Sequence, residues 1–415
     1  MAGRYDVVVV GGRLAGASTA MLLARAGARV ALVDRSPYGS DTVSTHALMR
    51  AGVLQLSRWG VLDEVATVTP AVRKTSFHYG TDDPVQVSIL PSPGVDALYA
   101  PRRHRLDRAL VDAAAAAGVD VLHGLAVTGL LPGPGDRVGG VRARRRDGRG
   151  LSLAAPLTVG ADGVRSVVAA EAGAAVERVA DTTSAILYAH FDDLPVAGYE
   201  FAYGQGASAG LIPTDDGQTC VFVATSPQRM RQLRRLGADT AFQLLLTAAA
   251  PRHVDRVLDA SRPAGLHGWS GVPGFVRRAS GPGWALVGDA GYFKDPVTAH
   301  GMTDALRDAE LLADAVLAGL SGSRTEAVAL AGYQQLRDRL SSRLFRATTE
   351  VARFAWDPDH VHRLLREVSA AMTDEVEELQ GRPHRRDSRH SSVAVDAVGP
   401  GRDGFIRPDT AAGRR

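Results

Sequence analysis

A glycine-rich turn near the N-terminus has the residue types and spacing of a nucleotide-binding site. The segment Gly11-Gly12-Arg13-Leu14-Ala15-Gly16 follows an apolar run and precedes an Ala/Leu-rich stretch. Gly11 permits a tight bend and Gly16 permits close packing of helix against strand, while the N-terminus of the following helix faces a pyrophosphate. We therefore expect this turn to bind the phosphates of a dinucleotide through Gly11, Gly12, Ala15 and Gly16.

A carboxylate stands where such a site needs one for the ribose. Asp34 lies 23 residues after Gly11, at the end of the next apolar run, and can accept both hydroxyls of an adenosine ribose. Arg35 follows it and joins the expected cofactor-binding residues. Arg13 departs from the common pattern, because it occupies the place of the second glycine. Its guanidinium can either pair with phosphate or point to solvent.

Two further Asp/Gly signatures follow apolar runs far downstream. Gly160-Ala161-Asp162-Gly163-Val164-Arg165-Ser166 comes after one run, and Leu286-Val287-Gly288-Asp289-Ala290-Gly291 comes after another. With the glycine turn, this ordered triple resembles the class A FAD-dependent monooxygenases of the 4-hydroxybenzoate hydroxylase fold. Their wider superfamily includes geranylgeranyl reductases and flavin-dependent halogenases. The resemblance covers residues 4–320 approximately.

The resemblance implies a cofactor and a place for each motif along it. It implies tight, noncovalent FAD and NAD(P)H as a transient reductant. The glycine turn would hold the ADP half of FAD, Asp162 and Gly163 would lie beside the pyrophosphate, and Gly288 and Asp289 would hold the ribityl chain.

Two arginines also match the family. Arg50 begins the run Arg50-Ala51-Gly52-Val53-Leu54, and Arg103 begins an Arg-x-x-Leu-x-x-x-Leu helix. Each would neutralise FAD phosphate or ribose, since a guanidinium can grip phosphate oxygens in a bidentate fork. A departure follows the middle motif, where Ala169 stands at a position at which the family often has arginine. In the resembling family this motif lies beside the path by which the nicotinamide approaches the flavin, so the missing arginine weakens the expectation that NAD(P)H approaches there.

The segment after Asp289 is expected to lie along the flavin ring. In the resembling family a proline faces the isoalloxazine, and a small-residue turn presents backbone N–H groups and a positive helix end to its N1/O2 edge. Here these residues are Pro296, Ala299, Gly301 and Met302, with an ordinary loop-breaking proline as the alternative. His46 can reach the flavin or the substrate pocket, or be structural.

Aromatic residues of the middle region are candidates for the substrate pocket, with core packing as the alternative for each: Tyr79, Tyr188, His190 and Tyr203. The resemblance implies hydroxylation of an aromatic or polyketide-like small molecule with NAD(P)H and O₂, through a flavin C4a-hydroperoxide. The alternative is an FAD-dependent reductase of prenyl or other C=C bonds. The Trp-x-Trp-x-Ile-Pro signature of halogenases is absent, and a non-catalytic flavin-binding protein is a further alternative.

Composition excludes other classes of protein. The chain is 45% hydrophobic and 22% charged, as globular domains are. Its 48 basic residues include only two lysines, and the net charge is only +3, so we expect no nucleic-acid partner.

The longest uncharged runs, 201–214 and 263–276, fall short of the roughly 20 residues of a spanning helix. The single cysteine, Cys220, fits a reducing compartment. We expect a cytoplasmic protein without a metal and leave a homodimer open.

The elements that must position these residues indicate an α/β fold. We expect a Rossmann-like FAD-binding domain built from 1–71, 96–175 and 277–330, with a helix over 42–66. An inserted antiparallel β-sheet layer for the substrate would comprise 72–95 and 176–276. C-terminal helices would occupy 331–380, and a flexible, polar tail would occupy 381–415.

Overall fold

The computed structural model describes residues 5–80 and 83–382. In chain order the strands are β1 (Val7–Val10), β2 (Val30–Asp34), β3 (Lys74–Tyr79), β4 (Val85–Ser88), β5 (Asp120–His123), β6 (Leu125–Pro132), β7 (Val138–Arg145), β8 (Gly150–Ala154), β9 (Leu157–Gly160), β10 (Val176–Val179), β11 (Ala185–Phe191), β12 (Tyr199–Gly204), β13 (Ala207–Pro213), β14 (Thr219–Thr225), β15 (His267–Trp269), β16 (Phe275–Arg277), β17 (Ser280–Gly281), β18 (Trp284–Leu286) and β19 (Tyr292–Phe293).

The helices are α1 (Leu14–Arg25), α2 (Arg50–Arg58), α3 (Leu62–Ala66), α4 (Arg103–Ala116), α5 (Val167–Glu171), α6 (Pro227–Arg234), α7 (Ala238–Ala249), α8 (Val254–Asp259), α9 (Gly301–Leu320), α10 (Glu326–Val351) and α11 (Pro358–Gly381). The expected helix over 42–66 is wrong in its first part, because residues 41–47 are irregular and α2 begins at Arg50. The expected tail lies almost entirely outside the described residues.

A six-stranded sheet carries the nucleotide motifs. Its order is β17-β18-β9-β1-β2-β5, and all of its pairs are parallel except the β17–β18 hairpin. The β1 residues are four consecutive valines, all buried, as expected of a strand covered on both faces. The turns after β1, β9 and β18 therefore meet at one edge of the sheet, which is where ligands bind in folds of this kind.

A seven-stranded sheet forms the second layer. Its order is β15-β11-β14-β13-β12-β3-β4. The expected antiparallel pairing occurs throughout except between β3 and β12, which run parallel. Short hairpins join β3 to β4 and β12 to β13, and such turns require antiparallel strands. No hairpin joins β3 to β12, because they lie far apart in the chain, so this pair is free to be parallel. Together the two sheets and the C-terminal helices give the expected α/β architecture.

The two faces of the seven-stranded sheet pack against different partners. One face, with Leu187 and Ala189, packs against α7. The other face is rich in aromatic side chains and shares one hydrophobic core with α1 and α9 of the nucleotide-binding part: Tyr188, Tyr199, Phe201, Tyr203 and Phe222. We call this second side the aromatic face, and define it by those five residues.

Two three-stranded sheets complete the described strands. They have the orders β10-β16-β19 and β6-β7-β8. In the part of the chain that the structure describes, none of the helices combines the length and apolar character needed to cross a bilayer.

Candidate functional site

The glycine turn between β1 and α1 is packed so tightly that side chains cannot replace its key glycines. A Cβ on Gly11, whose φ is +106°, would overlap the carbonyl oxygen of Ala161, and a Cβ on Gly16 would overlap that of Gly11. The N–H groups of the first turn of α1 have no intrahelical acceptor. The turn therefore offers close backbone approach and a positive helix end, as a pyrophosphate requires.

Asp34 organises this turn from the end of β2. One carboxylate oxygen accepts the Gly12 N–H at 2.6 Å, and the other accepts the Ser36 N–H at 2.6 Å. Each oxygen keeps a further lone pair for a ribose hydroxyl. A surface pocket lies here and includes Gly12, Asp34, Tyr38 and His123 in its lining. Arg35 is exposed beside it.

Two arginines converge at the mouth of the turn on a residue that the sequence analysis missed. Arg13 Nη1 lies 3.1 Å from Asp107 Oδ2, and Arg103 donates to both oxygens of Asp107 at 3.1 and 3.2 Å. Asp107 neutralises part of this charge and fixes both guanidinium groups. The sequence could have indicated this pair, because Asp107 follows Arg103 by four residues and a helix brings side chains with that spacing together.

Arg50 joins the start of α2 to the 90–92 loop. Its guanidinium donates to the Leu90 carbonyl at 2.9 Å and to Ser92 Oγ at 2.7 Å. The contact of Arg50 with FAD stays a prediction.

The backbone N of Asp162 lies against Gly11 of the glycine turn, and the Asp162 carboxylate caps a helix. It accepts hydrogen bonds from Ser166 Oγ at 2.5 Å and from the N–H groups of Val167 and Val168 at 2.6 and 3.3 Å, at the start of α5. Burial raises its pKa, although these donors act in the opposite direction. Gly163 has φ +79°, which lets the chain turn between β9 and the capped helix.

Asp289 is the carboxylate of the site that has no partner of its own. Among the described residues it makes no hydrogen bond or ion pair, and burial raises its pKa to about 6. Arg103 and Lys294 lower the pKa by smaller amounts. Gly288, with φ +58°, packs directly on Ala15, so the turn that carries Asp289 lies against the first residues of α1. An acceptor is thus available next to the glycine turn.

The segment from Lys294 to Met302 is held firmly before α9 begins. Asp295, which is buried, accepts four hydrogen bonds of 2.6–2.9 Å, from Thr183 Oγ1, Ser184 N and Oγ, and Val297 N. Pro296 is half-buried, and Ala299 adopts the left-handed conformation. Gly301 is exposed at the N-terminus of the 20-residue helix α9. The positive end of a long helix therefore opens beside this segment.

A buried ionic cluster ties that segment to the C-terminal helix. His300 Nε2 lies 2.7 Å from Glu375 of α11, and Arg307 pairs with Asp304, Asp308 and Glu375 at 2.7–2.9 Å. Lys294 pairs with Asp304. Burial lowers the pKa of Lys294 to about 7, whereas the cationic partners hold the pKa of Glu375 at about 2 despite its burial.

His46 lies where the aromatic face meets the Lys294–Met302 segment. Ser44 connects the two, because its N–H lies 3.4 Å from Tyr188 Oη and its Oγ lies 3.9 Å from the Met302 sulfur. His46 Nε2 lies 3.0 Å from His190 Nε2 on β11. His46, the Tyr188 end of the aromatic face and Met302 thus come together.

The site as a whole fits an extended dinucleotide that ends in a flat ring. The glycine cradle, the free Asp289 carboxylate and the open α9 N-terminus follow one another along the edge of the parallel sheet. These features define a nucleotide-binding oxidoreductase with an FAD-type site. The chain matches the family of the FAD binding domain over residues 4–348 and belongs to that family.

Similar proteins share this fold and differ in their reactions. The chain is 28% identical over 316 residues to 6-methylpretetramide 4-monooxygenase of Streptomyces rimosus, with 73% of each chain covered. It is 26% identical over 341 residues to digeranylgeranylglycerophospholipid reductase of Methanosarcina mazei, covering 80% and 79% of the two chains. The myxobacterial chondrochloren halogenase, an FAD-dependent halogenase, has a TM-score of 0.74 at 24% identity, covering 83% and 81%.

The comparisons confirm the superfamily that the motifs indicated. FAD is the cofactor, and the protein is an FAD-dependent oxidoreductase. Which of the superfamily's reactions it performs is a separate question, because relatives of similar identity include both hydroxylases and reductases.

Proposed function

We propose that the protein is an FAD-dependent monooxygenase that hydroxylates an aromatic or polyketide-like small molecule with NAD(P)H and O₂. The observation that carries the proposal is the aromatic face opposite the Lys294–Met302 segment. A stacked and an edge-on ring pair lie at its Tyr188 end: Tyr188 with His267 at 5.0 Å and Tyr188 with His190 at 5.9 Å. Planar substrates pack well on such rings, with centroid separations of this size.

Several residues would hold FAD along the edge of the sheet. The 11–16 turn and the α1 N-terminus would take the pyrophosphate, with Arg13 and Arg103 as counter-charges. Asp34 would accept ribose hydroxyls, and Asp289 would accept hydroxyls of the ribityl chain. When bound, FAD supplies the redox chemistry, taking electrons from NAD(P)H and passing them to O₂.

The protein's part in the reaction is placement and electrostatics. The α9 N-terminus at Gly301 would stabilise negative charge on a flavin ring bound beside it. Asp295 fixes the Pro296 turn that leads into α9 and so holds this helix end in place. The aromatic face would keep water away from the reacting part of a substrate packed against it.

A reductase of prenyl or other C=C bonds is the second candidate. The similarity to the Methanosarcina mazei reductase favours it, at 26% identity over 341 residues. The aromatic face shares its core with aliphatic side chains such as Ile186 and Ile212, and such a surface also suits an isoprenoid.

Oxygen labelling separates the two candidates. Holoenzyme with NADPH or NADH under ¹⁸O₂ is supplied with polycyclic phenols and, in parallel, with a geranylgeranyl substrate. Hydroxylation predicts a product carrying one ¹⁸O atom and no turnover without oxygen. Anaerobic saturation of a C=C bond, with no labelled product from any phenol, would refute hydroxylation in favour of the reductase.

A further inference from the structure

Two buried histidines share a hydrogen bond at the junction between the aromatic face and the flavin-facing segment. The Nε2 atoms of His46 and His190 are 3.0 Å apart, and the two side chains are 2% and 7% exposed. In such a pair one imidazole donates and the other accepts, so the tautomer of one ring fixes the tautomer of the other. The remaining nitrogen of His46 is thereby set as an acceptor or as a donor.

His46 has two features that a merely space-filling side chain does not need. Its backbone has φ +68°, a left-handed conformation that is uncommon for a residue with a side chain. Its Nδ1 atom is buried and has no hydrogen-bond partner among the described residues. Strained backbone and unsatisfied buried polar atoms both concentrate at functional sites. A ligand atom at Nδ1 would complete the hydrogen bonds of His46.

The surroundings keep both rings uncharged. Burial lowers the pKa of His190 to about 4 and that of His46 well below its usual range. With one proton on each ring, two neutral arrangements exist: Nε2–H on His46 with Nδ1–H on His190, or Nε2–H on His190 with Nδ1–H on His46. They interconvert without net charge separation only when, as the shared proton moves to His190, a proton from solvent reaches His46 Nδ1 and another leaves His190 Nδ1 to solvent. The charged and titratable groups that act on the pair come from the 41–46 segment, from the start of α4 with the residue before it, and from β15. They are Asp41, Arg102, Arg103, His104 and His267.

We propose that the His46–His190 pair is a substrate-recognition site for an uncharged hydroxyl or conjugated carbonyl oxygen on a planar aromatic molecule. His46 Nδ1 accepts from a hydroxyl when its Nε2 carries the proton, and it donates to a carbonyl when that proton resides on His190 Nε2 and Nδ1 is protonated. In the second state the His190 Nδ1 atom is deprotonated, so each ring keeps one proton and the pair stays neutral. The inference rests on the proposed function only in placing the substrate against the aromatic face.

Such a site can serve a molecule whose oxygen changes between phenol and ketone forms. A single fixed donor or acceptor would fit only one form, and the other would leave a buried polar atom unsatisfied. The pair therefore selects for the position of an oxygen on a planar molecule and tolerates its oxidation or tautomeric state. A carboxylate gains less, because the rings carry no charge.

Equilibrium binding to oxidised holoenzyme, without reductant, tests the proposal. The probes are 1-naphthol and 1-acetonaphthone, with naphthalene as the matched compound that lacks oxygen, and binding is followed by the change in flavin absorbance. Both oxygenated probes are expected to bind about tenfold more tightly than naphthalene, as one buried hydrogen bond implies. His46→Phe and His190→Phe should each remove the difference, while the control His360→Phe, on α11, keeps it. Equal binding of all three probes to the wild type would overturn the proposal, with no variant needed.

Nitrogen-15 NMR of the imidazoles supplies a readout that a purely structural pair would not move. 1-Naphthol should leave His46 protonated at Nε2, and 1-acetonaphthone should shift its proton to Nδ1. Unchanged shifts with both bound probes would overturn the proposal.

Metal content provides a further check. The donor atoms of His46, His190 and Cys220 lie within 4.8 Å of one another, so stoichiometric zinc held by these residues would also overturn the proposal. Because no turnover is involved, loss of the probe preference would leave hydroxylation standing, and failed ¹⁸O incorporation would leave the recognition site standing.

Discussion

If Asp289 receives the ribityl hydroxyls, FAD binding must be coupled to a proton. In the free protein, burial raises the pKa of Asp289 to about 6, because the carboxylate has no hydrogen-bond partner among the described residues. Hydroxyl donors from FAD would stabilise the ionised form and lower that pKa. Below pH 6 the free protein must therefore release a proton to bind FAD, and the affinity should fall with falling pH.

The size of the effect follows from the shift. A displacement from 3.8 to about 6 corresponds to about 3 kcal/mol, and allowance for the partial exposure of the side chain leaves about 2 kcal/mol for FAD to recover. Lowering the pH from 7.5 to 5 should then weaken FAD binding about tenfold. Titration of apoprotein with FAD, followed by quenching of flavin fluorescence, measures this.

Asp289→Asn is the matched control. It should bind FAD more weakly at pH 7.5 and should lose this component of the pH dependence. Lys294, whose pKa burial lowers to about 7, gains a proton over the same range and favours the anionic cofactor. Because both proteins retain Lys294, the difference between their slopes isolates Asp289. Identical slopes in the two proteins would refute the assignment of Asp289 to the ribityl chain.

Three further predictions address the frame of the site. Gly16→Ala should abolish FAD binding while the chain still folds, as judged by circular dichroism, because its Cβ would overlap the Gly11 carbonyl; retained affinity would contradict the cradle. Glu375→Gln should lower the free energy of unfolding in urea by about 1.5–3 kcal/mol, because it removes the buried charge that pairs with His300 and Arg307 while Asp304 and Asp308 stay with Arg307. A loss below about 1 kcal/mol would contradict this. The free energy of unfolding should fall as the pH drops from 6.5 toward about 4, because histidine in the unfolded chain takes up protons over this range and buried His190 does not. His190→Phe should remove about 2 kcal/mol of this loss after allowance for screening. An equal fall of stability with pH in the two proteins would contradict the burial of a neutral ring.

Local sequence patterns were sufficient for the cofactor and the sheet that carries it. Gly11, Gly16 and Gly288 lie in close contacts that a Cβ would block, and the pattern of glycines after apolar runs predicts turns of this kind. The family match confirms the cofactor that this pattern indicated.

Contacts between segments far apart in the sequence could not be predicted from such local patterns. Arg50 meets the 90–92 loop, and Glu375 reaches His300 across 75 residues of sequence. Among 46 arginines no sequence pattern separates those that meet a phosphate from those that meet a carbonyl. Asp162 shows a related difficulty, since a carboxylate before a short helix can serve a ligand or the helix itself.

The crystal structure of the FAD complex tests the central claim most directly. The account predicts a ribityl hydroxyl within hydrogen-bond distance of Asp289 and the isoalloxazine ring between the Lys294–Met302 segment and the aromatic face, with Gly301 at its N1/O2 edge. A ring bound away from that segment, or a ribityl chain that leaves Asp289 unpaired, would contradict it.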